Sequence, residues 1–404
     1  MGKIESQWRE SITRRGALRG LSVLFAGSPL FLQAQQDPNP LRDSRRALGI
    51  DEMVTAFDFE PIFHANLPLP IFSYTAHGTD SEFTLRRNRE VFDWVEVVTG
   101  RGVELSSVDT STEILGTQMD FPIFVAPTGG QGPLHPDGEL AMHQGATAAK
   151  TPMIVPNGTS FPIEEIAAAA TGPLWFQFYP RQDLDLSREV LETAQAAGSQ
   201  TVVVTIDQQA TYFERDLHDR NLGRNVEAAR RRYQERRRRR SEPSNPYRVR
   251  DTRLWYEWEY LDKIHPFVEV PMLAKGIMTA EDARLCLKYG LDGIIVSNHG
   301  GRSLDYAPSS LEVLPEIVDA VQGRIPVLID SGFRRGSDIL KALALGADGV
   351  CLGRTTRWGL GGFGPAGVQR VLEILQSELV QAMAQAGRST LASLDPSIVR
   401  TDFP

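Results

Sequence analysis

Short runs of consecutive apolar residues alternate with amphipathic stretches along most of this chain. Such runs occur near Ile123–Ala126, Met153–Val155, Trp175–Phe178, Val202–Ile206, Met272–Ala274, Gly293–Val296, Val327–Ile329 and Gly349–Leu352. A strand covered on both faces needs no polar side, so each run predicts a buried parallel strand. Between them, Glu139–Lys150, Ile163–Ala170, Ser187–Ala197, Ala280–Tyr289, Leu311–Val321 and Gly336–Leu345 carry helical patterns. The alternation predicts an α/β fold of the (β/α)8 TIM-barrel kind. No glycine fingerprint of a doubly wound dinucleotide sheet is present, and no internal repeat beyond the βα alternation.

The flanks are read from weaker signals. Helices are expected over Asp43–Phe57 and Glu82–Arg89, which makes 37–110 an N-terminal extension packing on a barrel at 111–385. The glycine-rich stretch Trp358–Gly367 reads as a loop, followed by a terminal helix Val368–Met383 and a C-terminal tail at 386–404. One connection breaks the rhythm: a long insertion after strand 4, at 208–262, containing the arginine run Arg230–Arg240. It reads either as a solvated excursion or as a basic patch for a membrane surface, an acidic partner or an electron acceptor.

Composition changes this picture in three places. The chain has 404 residues and a formal net charge of −8, and its arginine run has little aromatic interleaving, so no nucleic acid partner is indicated. Cys286 and Cys351 lie in a helical and a strand pattern and are expected to be buried free thiols, with no metal site. At the amino terminus, Arg14-Arg15 precedes a weakly apolar run, Leu21–Leu32, and then Gln33-Ala34-Gln35. That resembles a twin-arginine export signal, so Met1–Gln36 is expected to be a removable segment and the protein periplasmic; without export it would be cytoplasmic.

Candidate chemistry gathers at the carboxyl ends of the strands, where barrel enzymes build their sites. Strand six ends in Ser297-Asn298-His299-Gly300-Gly301-Arg302, which delivers a base and a cation around a glycine turn. The other ends carry Ala126-Pro127-Thr128-Gly129-Gly130, Gln177-Phe178-Tyr179, Thr205-Ile206-Asp207, Lys275-Gly276, Asp330-Ser331-Gly332-Phe333-Arg334 and Gly353-Arg354. Glycine N–H groups and arginines after the last two strands suit a phosphate group.

Three motifs carry a specific resemblance: Ser-Asn-His-Gly-Gly-Arg-x-Leu-Asp from Ser297, Lys-Gly-Ile-x-Thr-Ala-Glu-Asp-Ala from Lys275, and Asp-Ser-Gly-Phe-Arg-Arg-Gly from Asp330. They resemble the FMN-dependent 2-hydroxy-acid oxidases and dehydrogenases, the family of glycolate oxidase, lactate oxidase, mandelate dehydrogenase and flavocytochrome b2. The resemblance implies oxidation of an L-2-hydroxy acid to the 2-oxo acid, with electrons passing to flavin N5. It implies His299 as base, Asp207 as its partner, and Tyr179 on the substrate oxygen. Lys275 would lie at the flavin N1/C2=O edge, and Tyr74 and Arg302 would hold the substrate carboxylate. Ala126, Pro127, Thr128, Gln177, Thr205 and Ser297 would surround the flavin ring. Asp330 would take the ribityl hydroxyls, with Gly332, Arg334, Gly353 and Arg354 at the phosphate. Oxygen, a quinone or a cytochrome would accept the electrons, and a homo-oligomer, in many members a tetramer, is implied.

The chain departs from the family after strand four. The family's Gly-x-Arg-Glu-x-Asp, whose Arg is a second carboxylate ligand, is here Thr211-Tyr212-Phe213-Glu214-Arg215-Asp216. Ungapped, Glu214 takes the Arg position; a one-residue slip recovers Arg215. An acid there would repel a carboxylate, which leaves open the same redox chemistry on an alcohol, an ester or a peptide-derived hydroxy group. A flavin-binding protein without turnover is the third reading, disfavoured by the intact His299, Asp207 and Lys275.

Overall fold

The computed structural model describes residues 48–100, 106–207 and 257–403. The segment Met1–Gln36 expected to direct export, the pair Glu214/Arg215 and the run Arg230–Arg240 lie outside the described residues. The chain divides into Met1–Leu48 and Gly49–Pro404, and the second unit carries the fold. Its strands are β1 Val95–Val97, β2 Thr112–Ile114, β3 Thr117–Met119, β4 Ile123–Val125, β5 Met153–Val155, β6 Leu174–Phe178, β7 Val202–Thr205, β8 Met272–Ile277, β9 Gly293–Val296, β10 Val327–Ile329, β11 Gly349–Leu352 and β12 Val399–Thr401. β4 to β11 close a parallel barrel, β11 pairing back onto β4. All eight apolar runs are barrel strands, as expected from their pattern.

Every residue of β4, β5, β6, β7, β9, β10 and β11 is buried, because the interior and the surrounding helices cover both faces. The interior is filled by Phe124, Ile154, Trp175, Val203, Leu273, Ile295 and Leu328. The antiparallel hairpin β2–β3 adds Ile114 and Met119 to this cluster, and Trp175 Nε1 donates to Thr117 Oγ1 at 2.9 Å. The floor is thereby plugged, and the carboxyl ends of the strands are left as the open face.

The helices are α1 Phe59–Asn66, α2 Leu69–Ala76, α3 Phe83–Glu90, α4 Gly138–Ala148, α5 Ile163–Ala168, α6 Leu184–Ala196, α7 Tyr260–Ile264, α8 Ala280–Lys288, α9 Ser310–Val321, α10 Gly336–Ala344 and α11 Arg354–Gln385. Local chemistry sets their starts: Asp183 accepts from Asp185 and Leu186 N–H, Thr279 accepts from Asp282 N–H, and Ser309 forms a reciprocal box with Glu312. Cys286 and Cys351 are buried and free, as expected.

Three expectations need correction. The described part of Asp43–Phe57 is not one helix but two 3-10 turns, Ile50–Glu52 and Ala56–Asp58, interrupted by extended residues at Met53 and Thr55. Trp358–Gly367 is not a loop: α11 runs through it, kinked at Phe363 and Gly364. Its glycines serve close packing, since a Cβ on Gly361 would lie 2.5 Å from the Phe63 ring and one on Gly367 2.1 Å from the Gly359 carbonyl. The segment 386–404 is not merely a tail, because β12 pairs antiparallel with β1.

The N-terminal extension is fastened over the open face through α3. Asn88 and Asn298 exchange side-chain hydrogen bonds of 2.9 and 2.8 Å. Arg87 grips Glu312 bidentately at 2.7 and 2.6 Å, and Asp305 accepts from Ser81 and Thr84. These contacts hold the turn after β9 against the extension.

Candidate active site

A cavity of about 440 Å³ opens at the carboxyl ends of the strands. Of the residues singled out from sequence, Tyr74, Ala126, Pro127, Thr128, Gln177, Tyr179, Lys275, His299, Arg302, Asp330, Gly332, Arg334, Gly353 and Arg354 line it. Asp207, Thr205 and Ser297 stand behind this lining. Asp207 is hydrogen-bonded to His299, Ser297 to Lys275, and Thr205 is paired with Lys275 in the β7–β8 register. Arg215 lies outside the described residues.

His299 follows β9 in a left-handed backbone conformation, φ 59°, which non-glycine residues rarely adopt. The turn aims its imidazole back across the face, where Nδ1 lies 2.9 Å from Asp207 Oδ1 and 3.2 Å from Oδ2. Burial pushes the imidazole below its usual value and outweighs the attraction of Asp207. Burial alone would raise Asp207, but His299 and Lys275 hold its carboxyl below the ordinary range. Asp207 therefore stays ionised and His299 neutral near pH 7. Nδ1 carries the proton toward Asp207, and Nε2 keeps the lone pair.

Lys275 is 4% exposed, and its Nζ donates to Ser297 Oγ at 2.8 Å and lies 3.4 Å from Asp330 Oδ2. Burial would lower the ammonium, yet Asp330 and Asp207 bring it above its usual value, so the cation is fixed. Ser331, φ 84°, accepts from Gly300 N–H at 3.0 Å and donates to Asp330 Oδ1 at 2.8 Å. It ties the His299–Gly300 turn to the acid that holds Lys275. Sequence reading passed over Ser331 because nothing in a Ser-Gly turn announces a strained backbone.

Arginines crowd the cavity wall next to the His299–Gly300 turn. Arg302 Nη1 donates to the Tyr74 and His77 carbonyls at 2.9 and 2.8 Å. Arg354 donates to the carbonyls of Thr75, Gly300 and His77, and Arg334 lies over Trp358 at 4.6 Å. Burial and the mutual repulsion of the guanidinium groups push Arg334 down to about 10 and Arg354 to about 9. Both remain protonated at neutral pH and present positive charge to the cavity, which favours an anion there. A fourth arginine, Arg357, lines the same cavity and was not singled out from sequence.

Other atoms ask for a polar ligand. Thr128 Oγ1 and Gln177 Nε2 are buried without a hydrogen-bond partner among the described residues, while Gln177 Oε1 accepts from Asn157 N–H at 3.0 Å. Gly332, φ 93°, leaves room that a Cβ would close by striking the Asn88 carbonyl. A ligand with a polar-edged ring and an anionic end fits this donor set, and FMN has both.

Comparison with known proteins agrees. A model of the FMN-dependent dehydrogenase family matches residues 63–401. Glycolate oxidase 3 of Arabidopsis thaliana is 34% identical over 359 residues, covering 87% of this chain and 97% of the relative. Glycolate oxidase of Spinacia oleracea is 34% identical over 368 residues, with 87% and 97% covered. Among solved structures, the monotopic membrane protein (S)-mandelate dehydrogenase matches with a TM-score of 0.78 at 33% identity, covering 87% of this chain and all 100% of that one. Mandelate oxidase with (S)-2-phenylpropionate matches at 0.74 and 34%, with 87% and 99% covered. The chain belongs to the FMN-dependent dehydrogenase family, and its cofactor is FMN.

Proposed function

We propose that this protein oxidises an L-2-hydroxy acid of the lactate or glycolate kind to the 2-oxo acid, with His299 as the base. The observation that carries the reading is the His299–Asp207 pair at 2.9 Å, at a cavity shared with Lys275, Arg302 and Tyr179. The relatives named glycolate oxidase and mandelate dehydrogenase support the substrate class.

When bound, FMN supplies the two-electron acceptor. His299 Nε2 takes a proton from the substrate, and the ionised Asp207 stabilises the imidazolium that results. Arg302 binds the carboxylate, with Tyr74 beside it. Tyr179 hydrogen-bonds the oxygen that changes from hydroxyl to ketone. Lys275, fixed by Ser297 and Asp330, offers positive charge where negative charge develops.

The test is anaerobic mixing of the yellow holoprotein with a panel of L-2-hydroxy acids while the visible flavin band is followed. Rapid bleaching, lost in His299→Ala, is expected. Bleaching by dithionite but by no hydroxy acid overturns the reading. We also propose export through Met1–Gln36; a periplasmic fraction that keeps this segment, or lacks the protein, would refute it.

A further inference from the structure

Arg357 has no part in the reaction just described, yet it is among the most enclosed charges of the cavity, 3% exposed. It lies in the first turn of α11. Its Nε donates to Thr75 Oγ1 at 3.0 Å, Nη1 to the Gly129 carbonyl at 2.5 Å and Nη2 to the Gly130 carbonyl at 3.3 Å. These bonds use one N–H on each nitrogen and leave a second on each Nη. Its guanidinium carbon is 5.2 Å from the centre of the Tyr74 ring, and that of Arg302 is 4.7 Å from the same ring.

This placement costs energy without an anion. Burial pushes Arg357 down to about 10; Tyr74 offsets part of this, and the like charge of Arg302 adds to it. Among the described residues no carboxylate pairs with Arg357. Glu139 attracts it only from a distance, and one Glu139 oxygen is taken by Ser160 N–H at 3.0 Å. Buried like charges gathered at a cavity wall are relieved by a ligand of opposite sign.

We propose that Arg357 is a substrate-binding residue that shares the substrate carboxylate with Arg302 beside Tyr74. The inference rests on the 2-hydroxy-acid reading above. It also bears on the departure after strand four: if Glu214 rather than Arg215 takes the position of the family's second arginine, Arg357 would supply a second cation from α11.

The test compares holoenzyme with Arg357→Leu and Arg357→Lys. Under anaerobic conditions, half-saturation is measured for the fastest-bleaching 2-hydroxy acid and for its methyl ester. Oxalate is titrated separately through its perturbation of the flavin spectrum. Arg357→Leu is expected to weaken the acid and oxalate by about 10- to 100-fold and the ester by less than about threefold. Arg357→Lys, which keeps the charge and loses the fork, is expected to fall between. A parallel loss for acid and ester, or unchanged oxalate binding, overturns the proposal and reduces Arg357 to a brace between Thr75 and the Gly129–Gly130 turn. If the leucine variant does not hold flavin, the lysine variant decides by the same acid-to-ester ratio. If no hydroxy acid bleaches the wild type, the functional reading fails, while the oxalate titration still decides whether Arg357 binds a carboxylate.

Discussion

Ser297 Oγ accepts the Lys275 ammonium at 2.8 Å and, through its other lone pair, the His299 N–H at 3.0 Å. One hydroxyl at the end of β9 thus sets both the fixed cation and the base turn. Among the described residues, replacing it with alanine leaves the buried Lys275 one side-chain contact, Asp330 at 3.4 Å, with Asp207 acting from farther off. We expect Ser297→Ala to retain flavin and to slow anaerobic reduction by roughly tenfold, the effect of losing a hydrogen bond to a charged group. Stopped-flow absorbance checks it; an unchanged rate would show that the two positions are independent of the hydroxyl.

The acid limb of the pH profile follows from the same corner. On the proposed reading His299 acts as a neutral base, and its value is depressed, so the rate should hold as pH falls through about 6.5 and drop only below it. Asp207 raises His299, so Asp207→Asn should move the limb to still lower pH while cutting the maximal rate by about 10²-fold or more. The linkage to stability has the same direction. Both groups are depressed in the folded state, so their contribution is present above the unfolded values and lost as pH falls through the folded ones. A limb in Asp207→Asn that moves upward would refute the assignment.

The barrel was legible because its strands are buried on both faces and therefore written as unbroken apolar runs, such as Val202-Val203-Val204. The site residues at their carboxyl ends were legible for the same reason: once the strands are fixed, their ends converge. What escaped the sequence was written in ambiguous signals. Glycines at 359, 361 and 367 read as breakers but are there to let α11 approach Phe63 and itself. The hairpin β2–β3 has strands too short to show a period, though it plugs the barrel with Ile114 and Met119. Arg357 was hidden beside that misread stretch, where an arginine looks like an ordinary solvated one.

The arginines of the open face should govern flavin retention. Arg354 is half-buried, bound to three carbonyls and pushed down to about 9 by desolvation and its cationic neighbours, so its charge is poorly compensated within the protein. Arg354→Ala should weaken FMN binding by about 10- to 100-fold, since it removes a charge-assisted contact to phosphate. Ultrafiltration of the variant against free FMN measures this. Equal retention by variant and wild type would move the phosphate elsewhere on the barrel.

The last prediction concerns the wall formed after β4 and β5. Gly129, Gly130, Pro156 and Gly158 line the cavity there and offer little side-chain bulk. A Cβ on Gly158 meets nothing within 4 Å, so a side chain can start there without displacing the backbone. Gly158→Trp should therefore fold, hold flavin and keep kcat/KM for glycolate within about threefold. For a 2-hydroxy acid with an aryl side chain, it should lose about tenfold or more, because the room for that substituent is filled. The ratio of the two kcat/KM values, rather than either alone, is the measure, since a general disturbance of the site would lower both. If the ratio does not move, the open wall does not face the substrate's substituent.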